Sequence, residues 1–304
     1  MPRISQWLRL PSDFFFRHED ERIYAVVRMA FAAVALLNLI LLWPDRHVFF
    51  SDAGMVDRNA AMSQAHPAYL SIFSLSGSEA AVTGVMLVTA LSLVMLMAGV
   101  CARLAALWVL VWHISYMARS PLSMTGWDVV LRSFSFLILV SPTGKCWTLT
   151  TLWRGRGGML PASVSRHGLI LMRLQVLVIY WQAVLARILH PDPYWGNGEF
   201  LSYFMLSHYA RWPGTWVLEY GSLMALGTYA IQLAETAIPV LLWVRKTRWR
   251  GAILGTALHA GISVFARDLE LFCLTMMMTY LAFLRKEDVE DMERRVKRWL
   301  KRGT

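Results

Sequence analysis

Long apolar runs broken by short polar turns make up most of the chain. Apolar stretches extend over Tyr24–Trp43, Glu79–Val100, Leu104–Met117, Trp127–Pro142, Gly168–Leu189, Gly221–Val244, Gly251–Phe265 and Leu269–Leu284. A helix of roughly 20 apolar residues crosses the hydrocarbon core of a bilayer, and several of these runs reach that length. The three residues Cys101, Ala102 and Arg103 join the second run to the third, which leaves room only for a helical hairpin. The fourth run is short, as suits packing inside a bundle or a locally thin membrane.

Both ends carry a different pattern. Ile4, Trp7 and Leu8, then Phe14 to Phe16 among Arg9, Arg17 and Arg22, suit a segment in the headgroup plane and equally an ordinary flank. The tail RKEDVEDMERRVKRWLKR places Val289, Met292, Val296 and Trp299 at helical spacing, which predicts a basic amphipathic helix on the membrane surface. The predicted fold is therefore all-α and integral to the membrane: a polytopic bundle of about eight transmembrane helices with amphipathic in-plane helices at the termini. Every connecting segment is shorter than the ~50 residues of a small independent domain, so one membrane domain is expected over 1–304. Within it, 1–23 is interfacial, 24–284 the helical bundle and 285–304 the cytoplasmic tail.

Composition agrees, since 57% of the 304 residues are hydrophobic and only 16% charged. The net charge of +10 points to orientation and not to nucleic acid, because the basic residues sit in short flanks and no nucleic-acid motif or basic domain accompanies them. With the N-terminus inside, 21 of the 30 Lys and Arg fall in cytoplasmic segments and five (Arg46, Arg58, Arg119, Arg211 and Arg267) in outer loops. That asymmetry predicts a multi-pass protein of the cytoplasmic (inner) membrane with both termini cytoplasmic and the lipid bilayer as its constant partner. Cys101, Cys146 and Cys273 fall at an inner helix end, in a cytoplasmic loop and within a helix, so no disulfide is expected.

Polar groups inside the apolar runs carry the candidate chemistry, because such groups are costly in lipid. Arg28 and Asn38 lie in the first run, His113 in the third, Asp128 and Arg132 four apart in the fourth, Arg173, Gln175 and Gln182 in the fifth, Gln232 and Glu235 in the sixth and His259 in the seventh. Asp128 and Arg132 share one helical face, where they can neutralise each other. Arg187, at the outer end of its run, can snorkel to the interface or meet a substrate anion. Glu235 has no basic residue one turn away, so its partner must come from another helix. His259 follows Gly251 and Gly255, a small-xxx-small pair that permits close helix contact, and with His113 and His190 it can exchange a proton near neutral pH. No two histidines share a helical ligand spacing, and no metal site is expected. Asp128, Arg187, His190 and His259 fall on the outer halves of their spans, where one cavity is expected.

The run YWQAVLARILHPDPYWGNG (Tyr180–Gly198), preceded by Arg173 and Gln175, resembles the vitamin K-dependent gamma-carboxylase superfamily and its bacterial branch, the horizontally transferred transmembrane domain (HTTM) family. GWDVVLR (Gly126–Arg132), Glu235 and LHAGISVFARDLELF, which contains His259, resemble further motifs of that family. The resemblance implies a cavity for a quinone or another lipid-soluble ligand, with a small or peptide substrate. It makes Arg187 and His259 the candidate catalytic residues, and Asp128, Arg132, Trp195 and Glu235 the candidate substrate-binding residues. Arg187 stands where the family's carboxylases have a lysine base, and a guanidinium does not release its proton near neutral pH. A membrane binding, transport or assembly role without that base is the alternative.

Overall fold

The structure, a computed structural model, describes residues 14–64, 71–144, 146–149, 163–190 and 193–302. The in-plane expectation for Ile4, Trp7 and Leu8 lies outside them, as do most of the residues between the fourth and fifth apolar runs. The described residues are overwhelmingly helical, in nine principal helices: α1 Glu21–Leu42, α2 Glu79–Ala98, α3 Ala102–Arg119, α4 Gly126–Leu139, α5 His167–Leu189, α6 Gly221–Trp243, α7 Arg248–Phe265, α8 Glu270–Thr279 and α9 Lys286–Arg302. Among the described residues, α1, α2, α5 and α6 with the 3₁₀ turn before it (Thr215–Trp243) are long and apolar enough to cross a membrane. One face of α2 exposes Leu87, Val88, Leu91 and Val94 while Val82, Met86, Leu93 and Leu96 are buried. An exposed stripe of that kind is covered by lipid tails in a membrane protein.

The chain divides into two compact units, Met1–Leu171 with Leu284–Thr304, and Met172–Phe283. In the first, Asp20 caps α1 by accepting from the Arg22 amide at 2.9 Å. Two short strands, β1 (His18–Asp20) and β2 (Ser163–Ser165), pair antiparallel just before α1 and α5. This pairing has too few residues to show as alternation. The α2–α3 hairpin turns at Gly99, whose φ of 69° favours glycine, and a Cβ there would sit 2.6 Å from Thr148 Cγ2.

The segment between α1 and α2 holds Arg46 and Arg58, both expected in an outer loop. It folds as short helices, Arg46–Phe50 and Arg58–Gln64, and a 3₁₀ turn, Ile72–Ser74. Phe50 and Phe73 stack at 5.4 Å and meet Trp112 of α3 at 5.6 and 6.1 Å, so buried aromatics hold the segment down. Arg119, expected in an outer loop, is fully buried at the end of α3. Its guanidinium donates to the carbonyls of Phe50 and Ser51 at 3.1 and 2.6 Å, which offsets part of its desolvation.

In the second unit, α6 and α7 approach closely: a Cβ on Gly251 would lie 2.7 Å from the Leu242 backbone nitrogen. The small-xxx-small reading of Gly251 and Gly255 rests on this kind of contact. Between α5 and α6 the chain forms two more short helices, Pro193–Gly196 and Phe200–Leu206. Met205, Ala210 and Val217 make a small core there. The Arg211 amide bonds to Phe265 O and the Arg267 amide to Tyr209 O, both at 2.8 Å, which pins this segment to the end of α7.

Candidate functional site

Asp128 and Arg132 belong to the first unit, and Arg187, Trp195, Glu235 and His259 to the second.

Asp128 sits in the first turn of α4, fully buried. One carboxylate oxygen accepts from the Thr125 amide at 2.9 Å, the Thr125 hydroxyl at 2.7 Å and the Tyr116 hydroxyl at 3.1 Å. The other accepts from Asn38 Nδ2 of α1 at 3.0 Å, and Asn38 Oδ1 accepts in turn from Trp127 Nε1 at 3.2 Å. This is a reach-back helix cap extended across two neighbouring helices. Its chemistry is cohesive, since the carboxylate meets four donors and ties α1, α3 and α4 together. Arg132, one turn on, is half-buried, and its carbonyl accepts from the Ser135 hydroxyl at 2.7 Å. His113 of α3 donates Nδ1–H to the Val109 carbonyl of its own helix at 2.8 Å.

In the second unit α5 supplies two functional positions on one face, Tyr180 and Arg187, seven residues or two turns apart. Arg187 donates to Glu235 of α6, with side-chain exposures of 20% and 15%. The guanidinium lies over the Trp195 indole, 3.7 Å from its centroid. Trp195 itself is buried and stacks on Phe200 at 3.9 Å. Three of the sequence-predicted residues, Arg187, Trp195 and Glu235, thus meet around one cation. Its charge is matched by a carboxylate and an aromatic face. His190 is exposed, just past this cluster.

His259, on α7, is 3% exposed. Its Nε2 lies 2.8 Å from the Tyr180 hydroxyl, which also bonds to the Tyr280 hydroxyl. Phe272 packs edge-on against the imidazole at 5.7 Å between centroids. Tyr280 reaches this position across Gly255, where a Cβ would lie 2.4 Å from its hydroxyl oxygen. The imidazole has two tautomers, and both leave Nδ1 unsatisfied. If Tyr180 donates to Nε2, Nδ1 carries the proton without an acceptor; if Nε2–H donates to Tyr180, Nδ1 is an acceptor without a donor. Among the described residues Nδ1 has no hydrogen-bond partner, and a buried polar group so placed costs about 1–3 kcal/mol.

Tyr180 and Tyr280 were not singled out in the sequence as site residues. The available signal was a phenol hydroxyl in an apolar helix, which needs a partner when buried. A separate cleft of about 500 Å³ opens beside the Trp-Gly-Asn-Gly turn, lined by Asn197, Gly198, Glu199, Tyr203, Leu218 and Ser222 among others. No family model, curated protein or solved structure matches the chain.

Proposed function

We propose that this chain is a multi-pass protein of the cytoplasmic (inner) membrane, with about eight transmembrane helices and both termini cytoplasmic. We further propose that it binds a quinone or other lipid-soluble ligand at His259, in the manner its resemblance to the HTTM and gamma-carboxylase families implies. The even number of spans is supported by two contacts in the first unit. β1 precedes α1 and pairs with β2, which precedes α5, so the chain returns to its starting side after α4. Arg22 at the start of α1 pairs with Glu290 and Glu293 of α9 at 3.6 and 3.0 Å, so the tail lies at that same end. Reagent applied from outside to intact cells should fail to label Ser163→Cys; labelling from outside would overturn the topology.

The observation that carries the ligand reading is the buried, unpartnered Nδ1 of His259. A quinone carbonyl accepts from Nδ1–H and a hydroquinone hydroxyl donates to bare Nδ1, so each redox state matches one tautomer. Tyr180, bonded to both Nε2 and the Tyr280 hydroxyl, holds the ring so that Nδ1 is left for the ligand. Lipid-soluble compounds extracted from purified protein should include a quinone, present with the wild type and lost with His259→Ala. Equal quinone content in both, or none in either, would overturn this reading.

The Arg187–Glu235 pair favours a second reading, a binding, transport or assembly partner that keeps the fold without the base. A guanidinium held by a carboxylate and an indole cannot deprotonate a hydroquinone. Oxygen-dependent turnover of added hydroquinone by the purified protein separates the two: turnover supports the enzyme, and binding without turnover the partner.

A further inference from the structure

The hydrophobic stripe of α9 begins inside the protein and ends outside it. Val289 is fully buried, whereas Met292, Val296 and Trp299 on the same helical face are 42%, 56% and 74% exposed. Charge changes along the helix at the same place. Between Lys286 and Glu293 there are five acidic residues and one basic, and after Glu293 there are six basic and no acidic ones. The acidic half is held by the protein, because Glu290 and Glu293 converge on the Arg22 guanidinium, which is itself buried against Asp20 at 2.6 Å. The basic half leaves that anchor with a bare tryptophan at its far end.

We propose that the basic half of α9 docks on an anionic lipid surface, the headgroup region of the leaflet in which α1 begins. Three features select this occupant. The stripe emerges beside the first turn of α1, a helix long and apolar enough to cross the membrane, so the headgroup plane is within reach. Tryptophan is enriched at that plane, where its ring meets both acyl chain and water. The flanking Lys297 and Arg298 are exposed and can extend their charged heads to phosphates while their stems lie along the apolar stripe. The sequence alone indicated a surface-lying helix; the structure divides it into a protein-held half and a lipid-held half, with the division at Glu293–Arg294. This inference is independent of the ligand assigned to His259.

The test uses the full chain with Cys101→Ser and Val296→Cys, carrying a nitroxide at position 296 on the exposed stripe and leaving Trp299 in place, in nanodiscs of phosphatidylcholine alone or mixed with phosphatidylglycerol. Cys146 and Cys273 are buried, so the label is confined to the introduced site. In anionic discs the label should be accessible to oxygen and shielded from an aqueous nickel reagent, and severalfold less shielded in phosphatidylcholine alone. The charge reversal R294E/R295E/K297E/R298E should erase the difference between the two lipids. Equal immersion in both lipids would show that apolar contact alone suffices and overturn the anionic assignment. A label that stays aqueous in both would overturn docking on lipid altogether, and would indicate a protein partner instead.

Discussion

Arg187 of α5 is bound to Glu235 of α6, two charges that are mostly buried and joined by a direct hydrogen bond. Removing one partner of a buried pair leaves the other charge desolvated and unpaired, at a typical cost of about 3 kcal/mol. Arg187→Ala should lower stability by about that amount, and adding Glu235→Gln should restore much of it. Arg187→Lys should keep the ion pair and lose the flat contact with Trp195, at about 1 kcal/mol. Thermal unfolding of the four proteins in detergent at low salt checks this. An unchanged midpoint in Arg187→Ala would mean the side chain is solvated at the interface.

Asp128 is predicted to be a structural keystone of the first unit. Asp128→Ala strands donors on Asn38, Tyr116 and Thr125 and should cost about 3 kcal/mol. Tyr116→Phe removes one of those donors and should cost about 1 kcal/mol. If Asp128→Ala instead unfolds like the wild type but loses ligand, Asp128 is a binding residue and the keystone account fails.

Gly255 leaves the space into which the Tyr280 hydroxyl projects. Gly255→Ala should displace that hydroxyl and cost about 1–3 kcal/mol. Pairing it with Tyr280→Phe, which removes the oxygen nearest the new methyl, should recover part of the loss. Additive losses in the double variant would mean the alanine acts elsewhere.

Cys146 gives stability a dependence on alkaline pH. Burial raises its thiol pKa, and the nearby negative charges of Glu21 and Asp20 add to the rise. The folded state therefore holds the proton longer than the unfolded chain. The stability this contributes is complete below the unfolded thiol pKa, roughly 8.5, and is lost as pH climbs from there through the raised folded value. Denaturation midpoints measured across that range should fall with pH, and Cys146→Ala should flatten the slope. An identical slope in the variant would assign it to other groups.

The helices were largely legible in the sequence because uninterrupted apolar runs with Gly, Pro or charge at their ends leave few alternatives. The expected run Gly168–Leu189 became His167–Leu189, and Gly221–Val244 became Gly221–Trp243. Between α1 and α2, Phe50 and Phe73 looked like loop residues because isolated aromatics show no period; their burial comes from Trp112, which is distant in sequence. At Asp128 the four-residue spacing to Arg132 drew attention away from the three-residue spacing to Thr125, the signature of a cap. The sequence required the partner of Glu235 to come from another helix, and the structure provides Arg187 of α5. Tyr180 of α5, His259 of α7 and Tyr280 of the 3₁₀ turn after α8 meet by packing, a convergence that has no local signal.

We propose that Nδ1 of His259 faces a lipid-soluble ligand. An experimental density map of the purified protein with a naphthoquinone at saturating concentration tests it most directly. Ring-shaped density is expected with an oxygen within hydrogen-bond distance of Nδ1, absent from a map of His259→Ala. A map in which Nδ1 is bonded to a protein group, or in which the added quinone leaves no density beside it, would rule out ligand binding at His259.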